Sequence, residues 1–299
     1  MPAILLPRRN YGQPHGRLDV DWGHPSTAGL VACVVGSDLA NLARPNNVPT
    51  VVGNITAGAA GPGIGFSGAY QATNNYVKIN RTSDLAYVSE VTFEALVTVR
   101  AFQTAVSPYI SGVISQYHSN YGGTTQYYGP YLRFNQDGAS GNATVPMFGV
   151  TYSNGSSVAA AFGQAQTVNT PIHMLGTYKS GSLDLYVNGA RYTNAAASGN
   201  FDNNANNFVA LMSDYVINSG VFAQNRCLNG VLHFARIYNR WLPPAEAAEL
   251  SANPWQLFRA APRRIYFDMG AGGAVPTLSA LTASQITTSG ARHSLTLTF

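Results

Sequence analysis

The pattern of hydrophobic and polar positions along the chain predicts short β-strands rather than helices. Apolar and polar residues alternate in short stretches, and glycine, asparagine, serine and proline separate these stretches. In residues 91–100 every odd-numbered position is apolar, whereas the even-numbered positions are polar apart from Leu96. This alternation predicts a half-buried strand, with the apolar face in the core and the polar face outward. Residues 230–238 form a second such strand, in which both faces are largely apolar and therefore expected to be covered. The sequence thus predicts a mostly β protein.

Two local motifs give sharper predictions. Residues 183–187 and 190–193 flank Asn188-Gly189, and this pattern predicts a β-hairpin, because both central turn positions need a positive φ that Asn and Gly adopt at low cost. Near the other end, Pro243 and Pro244 precede residues 245–250, which are good helix formers, and Asn253-Pro254 follows them. This second motif predicts one short helix.

The chain divides into three predicted regions. Residues 1–29 are rich in proline, which predicts an extended N-terminal arm. Residues 30–268 hold the alternating strands and form the predicted main domain. A glycine-rich break at residues 270–273 opens a linker and a C-terminal β extension over residues 269–299. The extension is too short to build a core of its own, so we expect it to pack on something else.

The order of the strand motifs resembles a known family. The most specific pieces are residues 176–189 (GTYKSGSLDLYVNG) and residues 229–246 (NGVLHFARIYNRWLPPAE). With these motifs the chain resembles the laminin-G-like, concanavalin-A-like jelly-roll family over roughly residues 30–255. The resemblance implies an all-β antiparallel β-sandwich, here with an N-terminal arm and a short C-terminal β extension.

The flanking segments carry a second resemblance. Asp21-Trp22 before the main domain, and residues 253–258 and 262–265 after it, are similar to segments of proteins encoded by tailed bacteriophages and prophages. This resemblance implies a non-enzymatic structural protein of the virion, either a capsid-decorating or a tail-appendage component. We then expect other virion proteins as partners and a homo-oligomer that assembles through its arms and its sandwich surface.

Composition narrows the classes of partner. The 299 residues include 17 Lys+Arg and 13 Asp+Glu, so 10% of the chain is charged and 45% is hydrophobic, which indicates a folded protein with a net charge of +4. The basic residues form no dense stripe interleaved with aromatic residues, which argues against nucleic acid as a partner. A transmembrane span is not expected either, because no apolar run is long enough.

Motifs for catalysis or metal binding are missing from the sequence. The acidic residues show no E-x-D-x-x-E pattern typical of jelly-roll glycosidases, and the six histidines lack zinc-ligand spacing. We therefore expect no enzyme activity and no cofactor. Members of the laminin-G family often bind calcium, and Asp137, Asp202 and Asp214 are the loop acids that could contribute, although turn-capping roles suit them better. The sequence leaves open whether Cys33 and Cys227 lie near each other.

Two clusters are candidate binding residues. One is a group of tyrosines among glutamine and asparagine residues: Tyr117, Tyr121, Tyr127, Tyr128 and Tyr131. Tyrosine offers large amphipathic contact area, so this cluster suits a glycan or a subunit interface, but a pair of tyrosine-bearing strands with one face in the core explains it as well. The other is a basic group, Arg259, Arg263 and Arg264, which could pair with acidic partners. The main alternative to a structural role is a lectin-like adhesin that recognises a host cell-surface glycan, and a degraded glycosidase is the second.

Overall fold

The structure of the protein is a computed structural model. It describes residues 18–36, 40–60, 63–64, 66–68, 75–85, 89–104, 109–116, 118–119, 127–135, 140–151, 158–194, 199, 208–214, 217–218, 221–222, 226–260, 263–267, 283–289 and 292–297. The chain forms two compact units, one made of residues 1–13 and 21–257 and the other of residues 14–20 and 258–299. The predicted arm and linker stay predictions, since residues 1–17 and 268–282 lie outside the described residues.

Most described elements are strands. In chain order they are β1 (Leu18–Val20), β2 (Leu30–Val35), β3 (Ala40–Asn41), β4 (Thr50–Val52), β5 (Ala59–Ala60), β6 (Gly63–Ile64), β7 (Phe66–Gly68), β8 (Tyr76–Ile79), β9 (Val91–Ala101), β10 (Ser111–Ser115), β11 (His118–Ser119), β12 (Tyr127–Phe134), β13 (Pro146–Thr151), β14 (Val158–Phe162), β15 (Pro171–Lys179), β16 (Ser182–Val187), β17 (Ala190–Asn194), β18 (Val209–Leu211), β19 (Ile217–Asn218), β20 (Val221–Phe222), β21 (Asn229–Tyr238), β22 (Phe258–Ala260), β23 (Arg263–Phe267), β24 (Ala283–Ser289) and β25 (Arg292–Leu297). The α-helix α1 spans Pro244–Ala252, and short 3-10 helices span Pro25–Thr27, Ser83–Leu85 and Ser140–Asn142.

The larger unit is built on two antiparallel sheets. The first has the order β14-β13-β12-β10-β18-β8-β4, with β11 paired to β12, and the second has the order β17-β16-β15-β9-β21-β2-β3, with β7 paired to β21. Both are eight-stranded, and small pairs β5-β6 and β19-β20 accompany them. The predicted all-β antiparallel sandwich is confirmed.

The hydrophobic core lies between these two sheets. The Phe148 ring of the first sheet packs on Gly176 of the second, where a Cβ atom would lie only 2.1 Å from the ring. Phe93 meets the same ring edge-on, with 6.2 Å between centroids. An aromatic ring thus fills the space left by a glycine across the sandwich.

The outer face of the second sheet is buried as well, against the expectation for β9. The predicted apolar face of β9 does face the core, but Thr92, Glu94 and Thr98 on the other face are at most 1% exposed. The segment around α1 covers part of this face, since the Leu242 amide donates to the Thr177 hydroxyl at 2.9 Å and Trp255 packs on an aromatic ring of β21. The polar residues that alternate along β9 therefore form a buried layer and not a solvent-exposed face.

The two local motifs are confirmed. Strands β16 and β17 pair through a turn in which Asn188 has φ 47° and Gly189 has φ 78°, as a two-residue hairpin requires. Helix α1 begins after Pro243 and ends before Asn253. Among the helices within the described residues, none has the length and hydrophobicity to cross a bilayer.

The smaller unit contains two sheets of its own. Strand β1 pairs with β22, and a three-stranded antiparallel sheet has the order β23-β25-β24. Strands β24 and β25 lie within residues 269–299, where the sequence predicts a C-terminal β extension.

Candidate functional site

A pocket of about 530 Å³ lies at the edge of the sandwich, where the chain crosses from β3 of the second sheet to β4 of the first. We call it the polar pocket because five of its seven lining residues have polar side chains. One wall is the loop between these strands, and the other is the segment that follows β8. The lining residues are Ala43, Arg44, Pro45, Asn46, Asn47, Asn80 and Thr82. Its size lies within the range of pockets that hold small molecules, roughly 300–1,000 Å³.

The loop wall is shaped by a buried asparagine and a proline turn. The Asn41 side-chain oxygen, in a residue that is 1% exposed, accepts hydrogen bonds from the backbone amides of Cys33 at 3.0 Å and Arg44 at 3.3 Å. The Asn47 amide then donates to the Arg44 carbonyl at 2.9 Å, which closes a turn with Pro45 in its second position. These local bonds fix the direction in which the loop presents Asn46 and Asn47.

Three hydrogen bonds from two residues hold the walls together. The Asn47 side-chain amide donates to the Asn80 carbonyl at 2.8 Å. The Arg44 guanidinium donates through Nε at 3.0 Å and Nη2 at 2.5 Å to one carboxylate oxygen of Asp84, in the 3-10 helix that begins beside Thr82. The pocket is therefore preformed between segments that are distant in the sequence.

The lining is suited to hydrogen bonding with hydroxyl groups. Asparagine side chains both donate and accept, as sugar hydroxyls do. The Thr82 hydroxyl oxygen is buried beneath the pocket surface and has no hydrogen-bond partner within the described part of the chain, so the exposed asparagine side chains are the groups that a ligand would meet. Among the lining residues there is no carboxylate, and the nearby Asp84 is engaged by Arg44. The arrangement can bind a polar ligand, but it lacks the paired carboxylates of a glycosidase.

Of the five tyrosines in the predicted cluster, Tyr131 is the one whose side chain is among the described residues. Tyr131, in β12, is 3% exposed, and its ring lies over Gly149 of β13, where a Cβ atom would come within 2.4 Å. The Arg133 guanidinium lies 4.4 Å from the ring centroid. Burial raises the pKa of Tyr131. This ring is a packed element of the first sheet and offers little surface to a ligand.

The other four tyrosines are only partly described. Tyr127 and Tyr128 lie in β12, opposite Ser119 and His118 of β11, and their side chains are outside the described residues. Tyr117 and Tyr121 lie outside the described residues altogether. The glycan-binding role assigned to the cluster stays a prediction.

Of the three loop acids considered as calcium ligands, only Asp214 lies in the described part of the chain, and it is bonded to other side chains. Asp214 is fully buried and accepts hydrogen bonds from Arg133 at 2.7 Å and Arg226 at 3.2 Å. It reaches this position because Gly112 has no side chain, and a Cβ there would lie 1.8 Å from the Asp214 amide nitrogen. Its carboxylate is therefore engaged by two guanidinium groups and is not free to act as a calcium ligand.

The remaining candidate metal ligands form no metal site within the described residues. Asp137 and Asp202 lie outside the described residues, and those that are described contain no group of three or more His, Cys, Asp or Glu side chains placed to hold a metal. Cys33 and Cys227 are both buried and free, and burial raises the pKa of the Cys33 thiol to about 12. Neither thiol is poised for chemistry.

A buried ionic cluster lies under the segment around α1. Glu94 accepts from Arg236 at 3.0 Å, from His173 Nε2 at 3.0 Å and from the Tyr238 hydroxyl at 3.2 Å. Arg236 also donates to the carbonyl of Pro254, just beyond the helix. Although burial raises the pKa of Glu94, the Arg236 charge, helped by His173, outweighs burial and holds that pKa below its usual value. This cluster ties the cover to the sheet, and its four side chains are fully buried.

The predicted basic group is also placed in part. Arg259, in β22, lies 3.7 Å from the Asp19 carboxylate in the paired strand β1, and both side chains are largely exposed. Arg263 and Arg264 lie in β23, with side chains outside the described residues. Their role at an interface stays a prediction.

The pocket residues were not among the sequence predictions. Arg44 and Asp84 are 40 positions apart, and no periodicity connects them. The usable signal was the run Arg44-Pro45-Asn46-Asn47, which is rich in turn residues with hydrogen-bonding side chains. The sequence alone does not say that residues 80–84 face this turn.

Comparisons with known proteins bear on the fold. A family described as the concanavalin A-like lectin/glucanases superfamily matches residues 71–248. Domain 4 of AbnA, an extracellular arabinanase from Geobacillus stearothermophilus solved in complex with arabinotriose, is 14% identical, with 75% of this chain and 98% of that chain covered at a TM-score of 0.52. No curated protein matches the chain.

A second group of similar structures consists of toxin domains. The binding domain of botulinum neurotoxin DC, solved in complex with SialylT, is 11% identical, with 75% of this chain and 51% of that chain covered at a TM-score of 0.52. The binding domain of botulinum neurotoxin serotype C1 is 10% identical at the same TM-score of 0.52. The chain spans about half the length of these toxin domains. At these identities the likeness concerns the fold.

Proposed function

The chain belongs to the concanavalin A-like lectin/glucanase superfamily, and we propose that it is a non-catalytic glycan-binding protein whose ligand site is the polar pocket at the sandwich edge. The observation that carries the proposal is the preformed pocket itself, with asparagine side chains on two walls that are bonded to each other. A site that is already ordered loses little conformational freedom when a sugar binds.

The absence of enzymatic activity is part of the proposal. Hydrolysis of a glycosidic bond needs two carboxyl groups on either side of the bond, about 5–9 Å apart. The pocket has none among its lining residues, and the nearby Asp84 is held by Arg44. We expect incubation with the bound glycan to release no reducing ends, and measurable release would overturn this part.

A glycan array tests binding, and one variant tests the site. Asn46 is exposed and lines the pocket, so Asn46→Ala removes a hydrogen-bonding group without opening the core. One lost hydrogen bond corresponds to about a three- to ten-fold loss of affinity. Asn253→Ala, an exposed asparagine after α1, is the matched control and should bind as the wild type does. Equal binding by Asn46→Ala would move the site elsewhere.

We further propose that the protein works on a bacteriophage particle, as a tail-appendage or capsid-decorating component that presents the sandwich to host glycans. The flanking segments that resemble phage-encoded proteins support this setting. The sheet β23-β25-β24 supports it too, because its outer strands β23 and β24 could accept a strand from another virion protein or another copy of this chain. Quantitative mass spectrometry of purified particles tests it: a few to hundreds of copies per particle are expected, and complete absence would contradict it.

A further inference from the structure

The charge of the polar pocket is set by a single ion pair. Among the lining residues Arg44 is the charged one, and the carboxylate of Asp84 takes hydrogen bonds from two of its nitrogens. The side chains of Arg44 and Asp84 are 47% and 36% exposed, so the pair lies beside the opening of the pocket rather than within the core. The pocket therefore presents a neutral pair of groups to an incoming ligand.

This pairing has a consequence for a sugar that carries a carboxylate. A guanidinium is the natural partner of a carboxylate, but two of the five N–H donors of Arg44 point at Asp84. An acidic sugar would have to compete with Asp84 for them and would bring its own negative charge close to that carboxylate. A neutral sugar meets no such repulsion and uses the side-chain amides of Asn46 and Asn47.

We propose that Asp84 is a specificity-determining residue that makes the pocket select uncharged sugars over acidic ones. The inference rests on the proposed function, since it concerns the same pocket. Asp84 does not line the pocket itself and acts through Arg44, which it neutralises and orients. Specificity of this kind comes from a repulsive element built against the wrong ligand.

The test uses a glycan array printed with matched pairs that differ only in a terminal sialic acid. Wild-type protein should retain the neutral member of each pair more strongly. Asp84→Asn removes the competing carboxylate, and binding of the acidic members should rise about three- to ten-fold, as expected for a charge-assisted hydrogen bond, while binding of the neutral members changes less than about two-fold.

Two further variants make the test specific. Asp19→Asn removes the same charge from another exposed pair, with Arg259, and should leave the preference unchanged, so that a general effect of net charge is separated from the local effect. Arg44→Gln combined with Asp84→Asn removes the cation as well and should abolish the gain for acidic glycans. The double variant also shows whether loss of the pair merely loosens the loop, in which case neutral binding would fall too and the specificity role would be refuted.

The possible failures are distinguishable. If wild-type protein binds no glycan, or binds glycans that Asn46→Ala binds equally well, the proposed function fails. If binding depends on Asn46 but the acidic members of the pairs are retained as strongly as the neutral ones, only the specificity inference fails. It also fails if Asp84→Asn and Asp19→Asn give the same profile.

Discussion

Replacing Arg236 with leucine tests the account of the buried ionic cluster. In the folded protein the Arg236 guanidinium donates to both carboxylate oxygens of Glu94 at 3.0 Å, and both side chains are fully buried. Arg236→Leu leaves Glu94 with His173 Nε2 at 3.0 Å and the Tyr238 hydroxyl at 3.2 Å. The charge of Glu94 then has no strong cationic partner in a site from which water is excluded.

The expected cost is large for a single substitution. Removing one partner of a buried ion pair typically destabilises a protein by about 3–5 kcal/mol, because the remaining charge keeps its desolvation penalty. For a domain of this size each kcal/mol lowers the melting temperature by about 2–4 °C. We therefore expect a fall of about 6–20 °C, measured by differential scanning calorimetry near neutral pH.

A double variant separates the charge effect from lost packing. Glu94→Leu combined with Arg236→Leu removes both charges, and replacement of a whole buried pair by apolar residues is often close to neutral. We expect the double variant to recover at least half of the loss. The reasoning is refuted if Arg236→Leu lowers the melting temperature by less than about 2 °C, or if the double variant is as unstable as the sum of the two single ones.

Three further predictions concern stability. Because folding lowers the pKa of Glu94, the ionised carboxylate stabilises the folded protein above its unfolded pKa of about 4.5, and this stabilisation is lost as the pH falls below that value. The Glu94→Leu, Arg236→Leu variant lacks this carboxylate, so its free energy of unfolding, measured with urea, should fall less below pH 4.5 than that of the wild type. Gly176→Ala places a Cβ 2.1 Å from the Phe148 ring and should cost about 1–3 kcal/mol in urea unfolding, whereas an unchanged midpoint would mean that the ring moves freely. Asn188→Ala puts alanine at φ 47° and removes the bond to the His173 amide, so a loss of about 1–3 kcal/mol is expected, with Asn188→Gly losing less; equal losses would contradict the turn argument.

The sequence was sufficient where short-range patterns decide the structure. The Asn188-Gly189 hairpin and helix α1 depend on local backbone preferences, and both formed where they were predicted. In β21 strict alternation fails, because the register shifts between Leu232 and Phe234 and brings Leu232 to the core side with Ala235. A bulge of this kind depends on pairing with the neighbouring strand, so the order of apolar and polar residues within β21 does not predict it.

The sequence was insufficient where function depends on distant segments. The polarity of Glu94 predicts an exposed position, but the cover that buries it comes from residues more than 140 positions later in the chain. The pocket depends on contacts between Arg44 and Asp84 and between Asn47 and Asn80, and single-sequence periodicity carries no signal for such pairs. The density of tyrosines in residues 117–131 suggested a binding surface, but the ring of Tyr131 packs over Gly149 within the first sheet.

The most direct test of the central claim is a crystal structure of the chain with the glycan that binds most strongly on the array. The account predicts density for a sugar ring between the loop of Asn46 and Asn47 and the segment of Asn80 and Thr82, with ring hydroxyls within hydrogen-bond distance of the Asn46 and Asn47 side chains. A sugar bound at another surface with this pocket vacant, or an array on which no glycan binds, would contradict it.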